Sequence, residues 1–133
     1  MEVICIDSSI LIEFWRAIPI EKPITLLMKL SNTYSLAVSS VVVYEILKGN
    51  KSKADIFWNK FFSQIKILDF VLVTAQEASR IYHQLKSSGK IIGVKDILKA
   101  FAAVQHNLPL ATANKKHLEN IDKLRLIEIE KIK

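Results

Sequence analysis

The stretch Ile91 to His117, IIGVKDILKAFAAVQHNLPLATANKKH, decides the fold. Ile97, Ala100, Phe101, Ala103 and Val104 recur at helical spacing and predict a helix from Val94 to His106, with Asp96 in its first turn. Asn107 and Pro109 end that helix. Leu108, Leu110 and Ala111 form a short apolar run that predicts a buried strand, and Thr112 and Asn114 stand just past its end. A helix start bearing an acid and a strand end bearing small polar residues can share one edge. In open parallel sheets, the edge at the carboxyl ends of the strands is where ligands bind.

Upstream, the same alternation repeats. Glu2 to Ile6 reads as a central strand, and Asp7-Ser8-Ser9 leads into a helix whose apolar face is Ile10, Leu11, Phe14 and Trp15. Pro23 predicts the opening of a second helix through Ser31, with Leu26, Leu27 and Leu30 toward the core. Leu36 to Val38 is a second strand. Ser39 or Ser40 then caps a helix from Val41 to Lys48, apolar on nearly every side except at Glu45 and Lys48, and Gly49 stops it.

Lys51 to Lys60 predicts a helix with a basic surface and a buried side of Ile56, Phe57, Phe61 and Phe62. Ile65 to Leu68 is a third strand, and Thr74-Ala75-Gln76-Glu77 is a capping box for a helix running to Ser88 before Gly89. After a turn at Lys116 to Asn120 come a last strand, Leu126 to Ile129, and a basic tail. Strands alternating with helices argue for an α/β sandwich around a mainly parallel sheet.

A chain of 133 residues, half of them hydrophobic, fits one domain, 1–133, with a real core. The apolar runs are too short to cross a bilayer, and Met1 to Ile6 lacks a signal peptide's charged start and cleavage site, so a cytoplasmic protein is expected. Cys5, the single cysteine, excludes an internal disulfide and reads as a small buried hydrophobe. Nineteen basic against 13 acidic residues, net +6, favour a polyanionic partner such as nucleic acid.

Three acids stand out against this background. Each has an ordinary role available: Asp7 and Asp96 at helix starts, Glu45 paired with Lys48. Yet Glu45 interrupts a nearly all-apolar helix, where an unpaired carboxylate costs several kcal/mol. Carboxylates from three segments meeting at one edge would also repel one another and raise their pKa values. A divalent cation removes that conflict, and hard oxygen donors favour Mg²⁺ or Mn²⁺. The clusters typical of zinc are absent, and His83, His106 and His117 read as surface or satisfied residues.

Asp7-Ser8-Ser9 after a strand, Glu45-Ile46-Leu47-Lys48-Gly49, Asp96-Ile97-Leu98-Lys99-Ala100-Phe101-Ala102 and Thr112-Ala113-Asn114-Lys115-Lys116-His117-Leu118 resemble the successive motifs of the PIN-domain ribonucleases. The VapC-type toxins of toxin–antitoxin pairs are the nearest group by motif. The resemblance covers nearly the whole chain, in order. It implies a three-layer α/β/α fold and a Mg²⁺- or Mn²⁺-dependent endoribonuclease with Asp7, Glu45 and Asp96 as its acidic, metal-binding site. Ser8 and Thr112 match hydroxyl positions that hydrogen-bond the acids and hold them in place. A cognate antitoxin and a homodimer are implied as well.

Under this reading Asp7 and Asp96 bind metal, Glu45 binds it or orients the attacking water, and Asn114 completes the shell. In-line attack would leave a 5′-phosphate and a 3′-hydroxyl. Lys48, Lys95 and Lys99 are the candidates to hold the RNA backbone at the rim. Two departures stand out: Asn114 replaces an aspartate found in many relatives, and Lys99 replaces the usual apolar residue, facing either the site or solvent. Phe14, Trp15, Phe57 and Trp58 are candidates for a dimer or antitoxin contact or for the core.

Two rivals remain. A receiver-like signalling domain would need an acidic pair after its first strand, and Asp7 stands alone there. A PIN-like module that has lost catalysis and binds RNA or protein is compatible with Asn114.

Overall fold

The structure is a computed structural model that describes residues 1–49 and 52–132. Four parallel strands, β1 (Val3–Ile6), β2 (Ser35–Ser39), β3 (Lys66–Leu68) and β4 (Leu110–Ala111), form one sheet in the order β3-β2-β1-β4. The seven α-helices among the described residues are α1 (Ser8–Ala17), α2 (Leu26–Thr33), α3 (Ser40–Lys48), α4 (Ser52–Phe62), α5 (Leu72–Ser87), α6 (Val94–Gln105) and α7 (Lys115–Leu118).

Side chains alternate across the sheet, as strand geometry requires, and this alternation separates two cores. Ile4, Ile6, Val38 and Ala111 pack with Ile10, Leu11, Leu30, Val42 and Trp58 on the face covered by α1 to α4. Cys5, Ala37 and Leu110 pack with Ile81, Leu85, Ala100 and Phe101 on the face covered by α5 and α6. The result is the expected three-layer α/β/α sandwich. From β1 the chain builds outward through β2 and β3, then returns to lay β4 on the other side of β1. Between β1 and β4 the strand order reverses, which leaves a crevice at their carboxyl ends.

Several elements begin or end away from their predicted positions, each for a local reason. The second helix starts at Leu26 and not at Pro23, because the Thr25 hydroxyl caps it and Glu13 Oε1 accepts the Leu26 N–H at 2.8 Å. α5 starts at Leu72, before the predicted capping box; Thr74 lies inside the first turn, where its hydroxyl accepts the Val71 N–H and meets the Gln105 side chain. α6 ends at Gln105 with Asn107 in the left-handed region at φ 54°, a conformation asparagine tolerates better than most residues.

Within α4 the predicted buried side is rotated. Ile56 is exposed, Trp58 is fully buried, and Trp58 with Phe62 four residues on makes the core-facing row. Trp58 is therefore core and not surface. The last strand is not formed: Leu126 makes one parallel bridge to Leu110 because β4 is two residues long, and Ile129–Lys131 turns into a 3₁₀-helix. Lys51 and Lys133, expected in the basic surface and the basic tail, lie outside the described residues, as do the side chains of Lys53 and Lys131. No described helix is long and apolar enough to cross a membrane.

Candidate active site

Asp7 directly follows β1 and Thr112 directly follows β4, so the crevice between these strands receives one side chain from each. Asp7 caps α1 and is buried. Its Oδ1 accepts the Ser8 N–H at 2.8 Å and faces Lys99 Nζ at 3.0 Å. Its Oδ2 accepts the hydroxyls of Thr112 at 2.7 Å and Ser9 at 3.0 Å. A carboxylate offers about four acceptor sites, and those of Asp7 are taken.

Glu45 reaches the same place from α3, whose start is fixed by the Ser39 hydroxyl accepting the Val42 N–H. Asp96 comes from the first turn of α6. The three acids of the sequence reading thus converge, and the point they converge on is the Lys99 ammonium. Glu45 Oε1 and Asp96 Oδ1 each lie 3.5 Å from Lys99 Nζ. Lys99 sits one turn along α6 from Asp96, and helical residues three apart share a face.

Lys99 is only 6% exposed. Its predicted place at the rim, gripping RNA, is thereby corrected, because the ammonium turns inward onto Asp7, Glu45 and Asp96. Burial disfavours the charged amine, but Asp7 above all, with Glu45 and Asp96, outweighs it and holds the Lys99 pKa above its ordinary value. Burial likewise works against the Asp7 carboxylate. The Lys99 charge and the hydrogen bonds from Thr112, Lys99 and Ser9 together overcome it and keep Asp7 below the usual carboxylate range.

Ser8, expected to support the acids, does so mainly through its backbone; its hydroxyl stands at 3.4 Å from Asp7 Oδ1 and 3.5 Å from Lys99 Nζ. Ser9, which the sequence reading passed over, carries more of the load. It donates to Asp7, accepts the Ala113 N–H at 3.0 Å and lies 3.4 Å from the Thr112 hydroxyl. Thr112 in turn accepts the Asn114 N–H, so Asn114 is tied in through its backbone. The Asp7-Ser8-Ser9 run, with two hydroxyls beside an acid, held that signal.

His117 is a second omission: its Nδ1 lies 3.5 Å from Asp96 Oδ2 at the exposed edge of the cluster. Lys48 and Lys95 are exposed near Glu45 and Asp96, and Lys48 Nζ stands 5.5 Å from the Tyr44 ring centre. Several clefts open beside the cluster. One of about 470 Å³ is lined by Ser8, Ser9, Glu13, Arg16 and Asn114, and another of about 260 Å³ by Trp15, Arg16, Glu45 and Trp58. Arg16 borders both, a cation that helical spacing alone did not single out.

The donor chemistry of the acids suits a hard divalent cation, and Glu45 Oε1 is buried with no hydrogen bond. Their arrangement does not. Lys99 holds the meeting point and Asp7 has no acceptor site to spare. Among the described residues no set of three or more Asp, Glu, His or Cys side chains is placed to hold a metal ion.

A parallel sheet with one order reversal and an acid cluster at that reversal defines the class of protein. The PIN domain pattern matches residues 4–124, and the chain belongs to the PIN-domain family. It is 32% identical over 106 residues to Ribonuclease VapC2 of Rickettsia felis, covering 73% of this chain and 76% of that protein. It is 28% identical over 124 residues to Ribonuclease VapC1 of Methanocaldococcus jannaschii, covering 92% and 84% respectively. Among solved structures it is similar to VapBC2 from Rickettsia felis bound to a DNA fragment from their promoter, with TM-score 0.77, 26% identity and coverage of 94% of this chain and 97% of that one. The DNA-bound VapBC from Salmonella typhimurium shares the fold at TM-score 0.80 and 22% identity, over 96% of this chain and 98% of that one.

Proposed function

We propose that this chain is an endoribonuclease that hydrolyses RNA phosphodiester bonds, and that it acts as the toxin of a toxin–antitoxin pair. The observation that carries this reading is the meeting of Asp7, Glu45 and Asp96, from three separate segments, around one point at the β1–β4 crevice. The named ribonuclease relatives support the reaction class, and the VapBC complexes support a cognate antitoxin.

In this reading RNA lies along the clefts beside the cluster, its phosphates drawn by Arg16, Lys48 and Lys95. Glu45, only partly buried and bordering the cleft, orients the attacking water and accepts its proton. Water adds to phosphorus, the bond to the 3′ oxygen breaks, and that oxygen leaves as a 3′-hydroxyl after taking a proton from solvent. The other product is a 5′-phosphate. Asp7 and its hydroxyl partners keep the strand ends in register with the cluster. Mg²⁺ or Mn²⁺ is the cofactor proposed from the family resemblance; Asp7, Glu45 and Asp96 would be the residues to hold it, and when bound it would supply positive charge for the phosphate.

The proposed setting is the cytoplasm, and the proposed assembly a homodimer. The exposed apolar run Phe70-Val71-Leu72-Val73 supports an association surface, and Phe57, exposed and in ring contact with the half-buried Phe14 and Trp15, adds a second apolar point. Replacing Asp7 or Asp96 with Asn and following cleavage of a structured RNA with Mn²⁺ present tests the reaction. Wild-type cleavage in either variant rules the assignment out. Growth arrest on expression, relieved by a co-expressed small partner, tests the toxin role.

A second reading is a PIN-like module that binds RNA or a protein with little or no cleavage. Lys99 in the acid cluster and the neutral Asn114 favour it. Such a module binds RNA with little dependence on Mn²⁺ and does not cut it.

A further inference from the structure

We infer that the Lys99 ammonium is the resident counter-cation of the acid cluster, and that a divalent cation enters the cluster only by displacing it. The inference rests on the nuclease reading only in taking this cluster as the reaction site; the ion content of the pocket is measurable without RNA.

Four observations carry it. Lys99 Nζ stands within 3.5 Å of a carboxylate oxygen from each of Asp7, Glu45 and Asp96. The side chain is almost wholly enclosed, so the ammonium is not a surface charge that happens to lean inward. Both oxygens of Asp7 are saturated while Lys99 is in place. No metal-holding group of Asp, Glu, His and Cys exists among the described residues in this arrangement. A divalent ion and an ammonium cannot share one point among three carboxylates, because like charges at contact distance repel strongly.

The tether gives the lysine an advantage that no dissolved ion has. A group held on the same chain competes as though present at millimolar concentration or more, before any contact energy is counted. A divalent ion brings twice the charge and prevails only at a concentration that overcomes both tether and contacts. An uncharged side chain of similar length leaves three carboxylates without their cation, and the cluster must then draw one from solution.

The test is Mn²⁺ binding, by calorimetry or by the loss of the free-ion paramagnetic resonance signal, to wild-type protein, Lys99→Met and Lys99→Gln, all without RNA. Both variants are expected to bind Mn²⁺ at least about tenfold more tightly than wild type, a difference of about 1.4 kcal/mol. They are also expected to melt lower than wild type in chelator and to recover with Mn²⁺. A variant affinity equal to or weaker than that of wild type overturns the inference. Should neither variant fold, wild-type protein labelled at the lysine side chains is titrated with Mg²⁺. The Lys99 resonance is expected to move in step with saturation, and a resonance unmoved at saturation overturns the inference. Tighter Mn²⁺ binding in the variants, beside a wild-type protein that cuts no RNA with Mn²⁺ present, would end the nuclease reading and leave this one standing.

Discussion

The Thr112 hydroxyl donates to Asp7 Oδ2 at 2.7 Å across 105 residues of chain, joining the ends of β1 and β4. This bond crosses the point where the strand order reverses, so it fixes the width of the crevice as well as the acid. Thr112→Val keeps the shape, strips a donor from a buried carboxylate and removes the acceptor of the Asn114 N–H. The expected cost is about 1–3 kcal/mol of unfolding free energy in urea. RNA cleavage is expected to fall with it, while Thr112→Ser retains both. Unchanged stability in the valine variant would mean that water replaces the hydroxyl without penalty.

The Asp7–Lys99 pair sets a stability window in metal-free buffer. Asp7 is held below its unfolded value of 3.8, so its contribution is present above pH 3.8 and is lost as pH falls through the lowered folded value. Lys99 is held above 10.5, so its contribution is present below pH 10.5 and is lost as pH rises through the raised folded value. The unfolding free energy of wild type minus that of Lys99→Met is therefore expected to be largest near neutral pH, at about 3 kcal/mol, to shrink as pH rises through the raised Lys99 value, and to shrink toward acid as the uncompensated carboxylates of the variant take up protons. Chemical denaturation across pH in chelator measures it. A difference that grows toward acid would contradict the pairing.

The layers of the fold were readable because apolar strands and helices of ordinary length follow one another without a break, and the alternation of Ile4, Cys5 and Ile6 fed two faces. The exceptions were elements whose limits depend on distant partners. Glu13 delays α2, Gln105 meets Thr74 inside α5, and the shortness of β4 leaves Leu126 one bridge. Ile56 was misplaced because α4 is apolar on more than one side, and only the packing of Trp58 selects the buried one.

At the site, the motifs gave three acids but not the charge between them. Lys99 stands three residues after Asp96, so its face was legible. Whether a lysine on that face bends inward or reaches solvent depends on Asp7 and Glu45, which are distant in sequence. His117 and Arg16 were hidden for the same reason.

Cys5 offers a check on the core beside the site. Burial, and then the negative charge of Asp7, push its thiol up to about 12, so almost no thiolate exists near neutrality. Native protein is expected to leave Cys5 unmodified by iodoacetamide at pH 8 over hours, and denatured protein to react within minutes. Rapid native labelling would mean that β1 opens far more readily than its position in the middle of the sheet allows.

The lysines divide into two kinds, and salt separates them. Lys48 and Lys95 are exposed, three residues after Glu45 and one before Asp96, whereas Lys99 is enclosed by carboxylates. A lysine that neutralises a phosphate releases a counter-ion, so its loss lowers the slope of log affinity against log salt by about 0.7 for a single strand. Lys48→Ala and Lys95→Ala are each expected to weaken binding of a single-stranded RNA and to lower that slope by about this amount. Lys99→Met is expected to leave the slope unchanged, because its ammonium faces protein oxygens rather than RNA. Fluorescence anisotropy over a series of salt concentrations reads all three, and a lowered slope for Lys99→Met would return that residue to the RNA-contacting rim.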